Sequence, residues 1–473
     1  MSTSKHCYRI LILAVVILLV NGAAYAGGYN LAGVGAKGLA MSGAFRAIAD
    51  DWSAMYWNPA GLAGQQNSVT LSGKMLYPIV WLTPNVTSNY PGYEGYVNGV
   101  KQSTKETGYL AGGFGVTYGI NDKFTAGFSA FSPSALGADW RNLFTGPPYG
   151  YNNNVPYPEK GWNSKIAVID FHPTLAYQAT DKLKLGIGIA IQYGDILLES
   201  PKLVASGAPM PFHQFYVDAV LEGDGLGYGF NLGALYDLTE KISLGLSYRG
   251  SVAIAVEGKV KQTLILPTSL GIQAANPSQA ALFGGGSLVA EPTGKADFPI
   301  PADAGLGISM KATDQLTLAF DVIWTNWGSV DEIEVEMDGV GPTGSPAENS
   351  TLIMNYEDTY RFNIGFEYLV SEFNDFRIRG GYYYDPSPIP DGSLRPTITD
   401  IEDKSNISLG FRWMPAPKVA LEGYWEHLFT GERTIAEIDE DGDGAIDNVA
   451  GDWKLQVDTF GISLSYYFGG YEK

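Results

Sequence analysis

From about residue 67 onward, hydrophobic side chains recur at every second position. In 183–193, Leu183, Leu185, Ile187, Ile189, Ile191 and Tyr193 share one face, while Lys184, Gly186, Gly188, Ala190 and Gln192 share the other. The same alternation runs through 226–236, 242–249 and 407–413. Successive side chains of a strand point to opposite faces, so each segment is a ribbon with one greasy and one small or polar side. Fourteen segments qualify: 67–77, 108–119, 124–132, 163–179, 183–196, 224–237, 242–255, 300–312, 316–327, 356–369, 375–385, 404–414, 418–428 and 455–468. Six short polar connections, such as Thr180-Asp181-Lys182, alternate strictly with seven long ones, near 78–107, 133–162, 197–223, 256–299, 328–355, 386–403 and 429–454. An even-stranded membrane barrel has short turns at one end and long loops at the other. The predicted fold is therefore all-β: a fourteen-stranded antiparallel transmembrane barrel, with 67–473 forming the wall.

A soluble β-sandwich shares the alternation. Here, however, the greasy faces carry Tyr, Trp and Phe at strand ends, as an interfacial girdle does, and the opposite faces are rich in Gly and Ser. Mean hydropathy is −0.02, and no apolar run reaches the ~20 residues of a membrane helix, which excludes a helical membrane protein. The net charge of −20 would repel phosphate backbones, so no nucleic acid partner is expected.

Residues 1–26 read as an export signal. Lys5 and Arg9 precede an apolar run from Ile10 to Val20, and Ala24-Tyr25-Ala26 forms an A-x-A cleavage site. The only cysteine, Cys7, leaves with this leader, so the mature chain has no thiol chemistry. Loss of Lys5 and Arg9 takes the net charge from −20 to −22.

Residues 28–64 have no strand pattern. Gly43-Ala44, Ala47-Ile48-Ala49-Asp50-Asp51 and Asn58-Pro59-Ala60, together with the block from Arg379 to Asp403, resemble the long-chain fatty acid transporter family (FadL-like). Trp324, Trp327, Tyr356-Glu357-Asp358 and Arg361 fall between them in the same order. The resemblance implies a monomeric outer-membrane barrel whose N-terminal segment, here 27–66, is a hatch inside the lumen. Asp50, Asp51, Asn58, Pro59 and Ala60 carry the hatch motif. It also implies passive uptake of long-chain fatty acids or hydrocarbons. The ligand is captured between outer loops, held in a lumenal pocket and released sideways through a gap at a kinked third strand.

Candidate parts are present. The third strand holds Phe131, Pro133 and Gly137. Pro133 cannot donate to a ladder and Gly137 weakens pairing, which fits either a wall opening or a strand that ends at the proline. Two outer loops are apolar, one with Leu203, Met210, Phe212 and Phe215, the other with Leu282 and Phe283. Exposed apolar patches mark binding surfaces, though these loops can instead pack only on each other. Asp439, Asp441, Asp443, the Ala445 carbonyl and Asp447 follow calcium-loop spacing, but Ala450 replaces the closing Glu, so calcium and a merely solvated acidic loop both fit. Lumen-facing Arg249, Arg361, Arg377, Arg379 and Arg412 can hold a ligand carboxylate, or pair with Asp321, Glu367, Glu422 and Glu426. Inward charges in barrels usually pair, which favours the second reading.

Gly33-Val34-Gly35-Ala36-Lys37-Gly38 fits a dinucleotide fingerprint but follows no strand, so close packing of the hatch explains it better. His172, His213 and His427 are far apart, and neither H-E-x-x-H nor G-x-S-x-G occurs; no enzyme is expected. The competing classes are a general diffusion porin and an adhesin-type structural barrel. Expected partners are a hydrophobic ligand, outer-membrane lipid and, through the Ile462, Leu464, Tyr466, Phe468 stripe, the outer-membrane assembly machinery.

Overall fold

The computed structural model describes residues 28–86, 98–141, 143, 160–205, 214–275, 277–371, 375–397, 400–439 and 448–469. The leader lies outside them. The wall consists of β1 (Ser68–Pro84), β2 (Tyr109–Gly119), β3 in two pieces (Phe124–Phe131 and Ala135–Arg141), β4 (Lys160–Gln178), β5 (Leu183–Ala205) and β6 (Gln214–Asp237). It continues with β7 (Ile242–Arg249 and Val252–Ile265), β8 (Thr293–Ile300 and Asp303–Lys311), β9 (Leu316–Thr325), β10 (Thr359–Val370) and β11 (Phe376–Asp385). The last three are β12 (Lys404–Ala416), β13 (Val419–Thr430) and β14 (Gly451–Tyr467). Every neighbour pairs antiparallel, and β14 returns to β1 from Ser68↔Tyr467 to Pro84↔Gly451. The ring is closed, so the wall has no free edge and lipid meets no unpaired strand.

The fourteen strands and their short turns stand where the alternation placed them, but several run farther outward. β5 and β6 extend to Ala205 and back from Gln214, and β7 and β8 extend through Ile265 and from Thr293. Much of what reads as loop at 197–223 and 256–299 is strand. Beyond the bilayer no lipid constrains the outer face, so the period-two signal fades while backbone pairing continues.

The greasy faces point outward: Ile187, Ile189, Leu246, Leu306 and Ile462 are all exposed. Two belts of aromatic residues ring the wall. Tyr118, Tyr236, Tyr368, Trp413 and Tyr466 lie near the short turns; Tyr77, Tyr193, Tyr228, Tyr360 and Tyr384 lie toward the other rim. Aromatic side chains concentrate at the two membrane–water interfaces, which fixes the barrel's depth in the bilayer. The interior is filled in two layers. Toward the long loops, a large apolar cluster includes Tyr29, Leu31, Trp140, Ile254, Phe298, Trp327 and Trp453. Toward the short turns, Phe45, Trp52, Met55 and Trp57 cluster with Phe131 and Ala176. The outer half of the lumen is thus far more apolar than a face of Gly and Ser suggested.

Candidate functional site

The N-terminal segment folds into short pieces, including helices Ala36–Ala40 and Ala54–Trp57 and a turn of 3-10 helix at Pro59–Leu62. Such pieces leave many backbone groups unpaired, and a buried one needs a partner. Inward-facing polar side chains of the wall supply them. Asp321 on β9 accepts from the Phe45 and Arg46 N–H groups at 3.0 and 2.9 Å. Asn363 on β10 donates to the Ser42 carbonyl, Ser408 on β12 to Ala40, and Ser309 on β8 to Ala47. Asn231 on β6 donates to Met55 and Arg249 on β7 to Tyr56.

The inward glycines have a matching purpose. A Cβ at Gly186 would lie 2.2 Å from the Pro59 carbonyl carbon, and one at Gly245 would lie 2.2 Å from the Arg46 oxygen. At Gly365 and Gly410 it would meet Met41 and Ala40 at 2.6 Å. The small inward face lets the segment's backbone lie against the wall. Gly33 and Gly38 of the fingerprint-like run press on the Trp57 ring, whose Nε1 donates to the Val34 carbonyl at 2.7 Å.

The motif residues divide. Asn58 is a hub: its Oδ1 accepts from Ala60 N, and its Nδ2 donates to the Arg46 and Ala234 carbonyls. Pro59 and Ala60 lie over Gly186. Asp50 pairs with Lys37 at 2.9 Å, and Lys37 reaches Glu367 at 3.3 Å. Glu367 also holds Arg377 and Arg379, and Arg379 holds Glu422 at 2.7 Å. Asp51 accepts from the Ser53 N–H and hydroxyl. Burial and the nearby Glu422 push the Asp51 carboxyl up to about 7. Protonation there removes charge from an acid-rich cluster.

The third strand neither ends at Pro133 nor runs straight through it. Phe131 pairs with Asp170 and Ala135 with Ala167, so one extra residue bulges from β3. At the bulge β3 turns to the N-terminal segment. The Leu31 N–H donates to the Pro133 carbonyl at 2.9 Å, Ala135 N–H donates to Tyr29 at 3.1 Å, and the Ser134 hydroxyl donates to Asn30 at 2.7 Å. On the other side, β2 and β3 pair from Gly119↔Thr125 to Gly113↔Phe131. Farther out, the Lys105 N–H donates to the Asp139 carbonyl at 2.9 Å. Between those points, 106–112 and 132–138 face each other without a registered ladder, about 20 Å of wall at ~3.3 Å per residue. Phe131 lies at the start of this stretch, packed edge-on against Tyr56 at 5.5 Å, and Gly137 lies opposite Lys165 of β4.

The apolar loop residues are foundation as much as surface. Phe215 belongs to β6, paired with Val204, and Leu203 belongs to β5. Phe215 and Phe283 are buried against each other, ring centroids 5.6 Å apart, and Leu282 packs beside them. Met210 and Phe212 lie outside the described residues. Beside this cluster a cavity of about 470 Å³ opens at the long-loop end. Leu198, Val217, Leu221, Val260, Leu264 and Val335 line it, and a hairpin at Glu332–Asp338 and Ser350–Ile353 closes one side. Val335 carried no sequence signal, because its segment reads as an acidic loop. Of the calcium-spaced residues, only Asp439 is described; Asp441, Asp443, Ala445 and Asp447 lie outside.

Against known proteins, the chain is 25% identical to the "47 kDa outer membrane protein" of Pasteurella multocida, covering 98% of this chain and 99% of that one. It is 24% identical to the "Long-chain fatty acid transport protein" of Escherichia coli O6:H1, over 85% and 86% of the two chains. Among solved structures, the fold matches a Pseudomonas aeruginosa FadL homologue with TM-score 0.74 at 20% identity, covering 93% of this chain and all of that one. It matches the Pseudomonas putida toluene transporter TodX with TM-score 0.71 at 18% identity, covering 93% and 99%. That family is one of outer-membrane transport proteins for hydrophobic compounds, not of enzymes. A closed barrel with these relatives, matched by the family model over residues 17–468, belongs to the outer membrane protein transport protein family (OMPP1/FadL/TodX) of the bacterial outer membrane.

Proposed function

We propose that this chain admits long-chain fatty acids or hydrocarbons by a sideways route. The ligand first enters the apolar cavity at the long-loop end. It then moves into the outer half of the lumen, lined by the apolar cluster around Leu31, Ile254 and Trp327. Residues 27–66 act as the hatch, bound to the wall through Asn58, Asp321 and Ser408. Exit is through the unladdered wall between β2 and β3. The observation that carries this reading is that Tyr29–Leu31 fills the bulge of β3, so one displaced segment both empties the lumen and uncovers the wall.

The sideways exit follows from solvation. A hydrocarbon chain gains ~0.8 kcal/mol per CH₂ on entering the bilayer, so release into the membrane is favoured over release into periplasmic water. The ring closes on a single chain, which fits action as a monomer. The exposed stripe Ile462, Leu464 and Tyr466 on β14 is the surface for the assembly machinery.

The test is uptake of labelled oleate and labelled toluene by cells that lack their own channel. Expression of the intact chain is expected to raise the uptake of at least one. Val260→Asp puts a charge into the outer cavity and should lower uptake several-fold at low ligand concentration. A charge in an apolar pocket costs enough to weaken a capture step by ~10-fold or more. No gain over control cells for either ligand would overturn the reading.

A further inference from the structure

Asp170 and His172 share the inward face of β4, and each side chain is only 2% exposed. Phe131, the last residue before the bulge of β3, pairs with Asp170 in the ladder, and its ring lies 5.8 Å from the His172 ring. From there a chain of polar contacts runs round the wall and into the N-terminal segment. On β5, Gln192 Nε2 donates to Asp170 Oδ2 at 3.2 Å. His172 Nδ1 lies 3.2 Å from Asp170 Oδ1, and its Nε2 lies 3.1 Å from Asn231 Oδ1 on β6. Asn231 Nδ2 then donates to the Met55 carbonyl at 2.7 Å. Gly188 leaves room for the chain: a Cβ there would lie 2.3 Å from both His172 Nε2 and Asn231 Oδ1.

These contacts fix where the protons are. The Met55 carbonyl can only accept, so the Asn231 amide turns its NH₂ that way and its oxygen toward His172. The His172 ring therefore faces an acceptor at each nitrogen. A neutral imidazole has one N–H and serves only one of them. Both contacts are made only when Asp170 and His172 share one further proton, as an imidazolium beside a carboxylate. Without that proton the remaining N–H goes to the charged Asp170, and a bare Nε2 meets the Asn231 oxygen. Asn231 satisfies His172 again only by turning over, which sets its oxygen against the Met55 carbonyl and breaks that bond. Other charged or titratable groups near the pair are Arg249 on β7, which acts on Asp170 through space and donates to the Tyr56 carbonyl, and Tyr56 itself, edge-on to Phe131. Ser129 of β3, Gln192 of β5 and Asn231 of β6 bring no charge.

We propose that His172 is a positioning residue: while it shares a proton with Asp170 it keeps Asn231 turned to pin Met55, and loss of that proton to water frees the N-terminal segment beside the β3 bulge. No other bond changes. The consequence for transport rests on the reading of that segment as the hatch.

The test is hydrogen exchange of residues 50–60 in the full-length protein in nanodiscs, over a rising pH series and corrected for base-catalysed exchange. The NMR signals of the His172 ring nitrogens, assigned by their loss in His172→Ala, report its protonation in the same samples. Protection of the segment is expected to fall by ~10-fold or more as the ring loses its second proton. Asp170→Asn offers an NH₂ to a neutral His172 Nδ1, leaves Nε2–H for Asn231 and keeps an oxygen for Gln192. This variant should stay protected across the series, which a merely structural role for Asp170 does not predict. His172→Ala should be loosened at every pH. Loss of protection in Asp170→Asn equal to that of the intact protein overturns the proposal, as does a singly protonated ring with the segment still protected. Labelled toluene, which has no charge to titrate, should enter several-fold faster over the same pH step. Protection that follows the proton with no change in toluene entry overturns the hatch reading and leaves the role of His172 standing.

Discussion

Oxidation of an Asn30→Cys, Ser134→Cys double variant is expected to stop uptake, and reduction to restore it. Asn30 and Ser134 face each other as an isolated antiparallel bridge, with Leu31 N–H and Ala135 N–H bonding on either side. That is the non-hydrogen-bonded kind of pair, in which Cα atoms lie ~4.5 Å apart and side chains are close. The spacing is within reach of a disulfide. Cys7 is the only cysteine of the sequence, so residues 27–473 hold no other cysteine to mispair. The bond would fasten the N-terminal segment to the bulge of β3, so the segment can no longer leave the wall. Ligand entry at the outer cavity is untouched, so binding there should survive while transfer falls by ~10-fold or more. Each single variant, which cannot form the bond, should transport normally. If the oxidised protein transports as well as the reduced one, passage does not require that segment to move.

The second large effect concerns the inward glycines. Gly186→Val and Gly245→Val together would drive side chains into the Pro59 and Arg46 backbone, which cannot yield as a flexible side chain would. Backbone clashes at two points remove the close approach on which the segment's bonds to the wall depend, so it should be expelled rather than accommodated. The wall should still close, because both residues point away from lipid and their ladders are intact. The expected outcome is a folded barrel whose N-terminal segment is cut by protease from the short-turn side. Sensitivity to large antibiotics that the outer membrane normally excludes should rise at least several-fold. An unfolded barrel, or a segment still protected, would mean that close approach at these glycines is not what seats it.

The wall was legible because lipid enforces a strict rule on every strand that crosses it. Leu185, Ile187 and Ile189 read as a strand without any neighbour in view, and the Thr180-Asp181-Lys182 turn fixes its start. Where that rule lapses, legibility lapses too. Ala135–Arg141 and the outer parts of β5 to β8 read as loop, because water on the outside tolerates any residue there. Pro133 marks an irregularity in the sequence, but that the strand bulges there instead of ending depends on Tyr29–Leu31, about a hundred residues away. The outer cavity is hard to see in the sequence: Phe215 and Phe283 pack beside it and do not line it, while Val335, which does, lies in an acidic stretch. That the lumenal arginines would mostly pair was readable from charge alone. Which carboxylate each takes is a matter of where Glu367, Asp303 and Asp375 fall around the ring, and a linear sequence does not reveal angular position.

The account depends on a lumen that is shut along its axis while hydrophobic ligands still pass. Conductance in planar bilayers tests this most directly, comparing the intact protein with a chain lacking 28–66. The intact protein should give little or no ion current, and the truncated chain should give stable open steps like those of a wide pore. Free ion conductance through the intact protein, unchanged by the truncation, would make it a diffusion porin and contradict the sideways route.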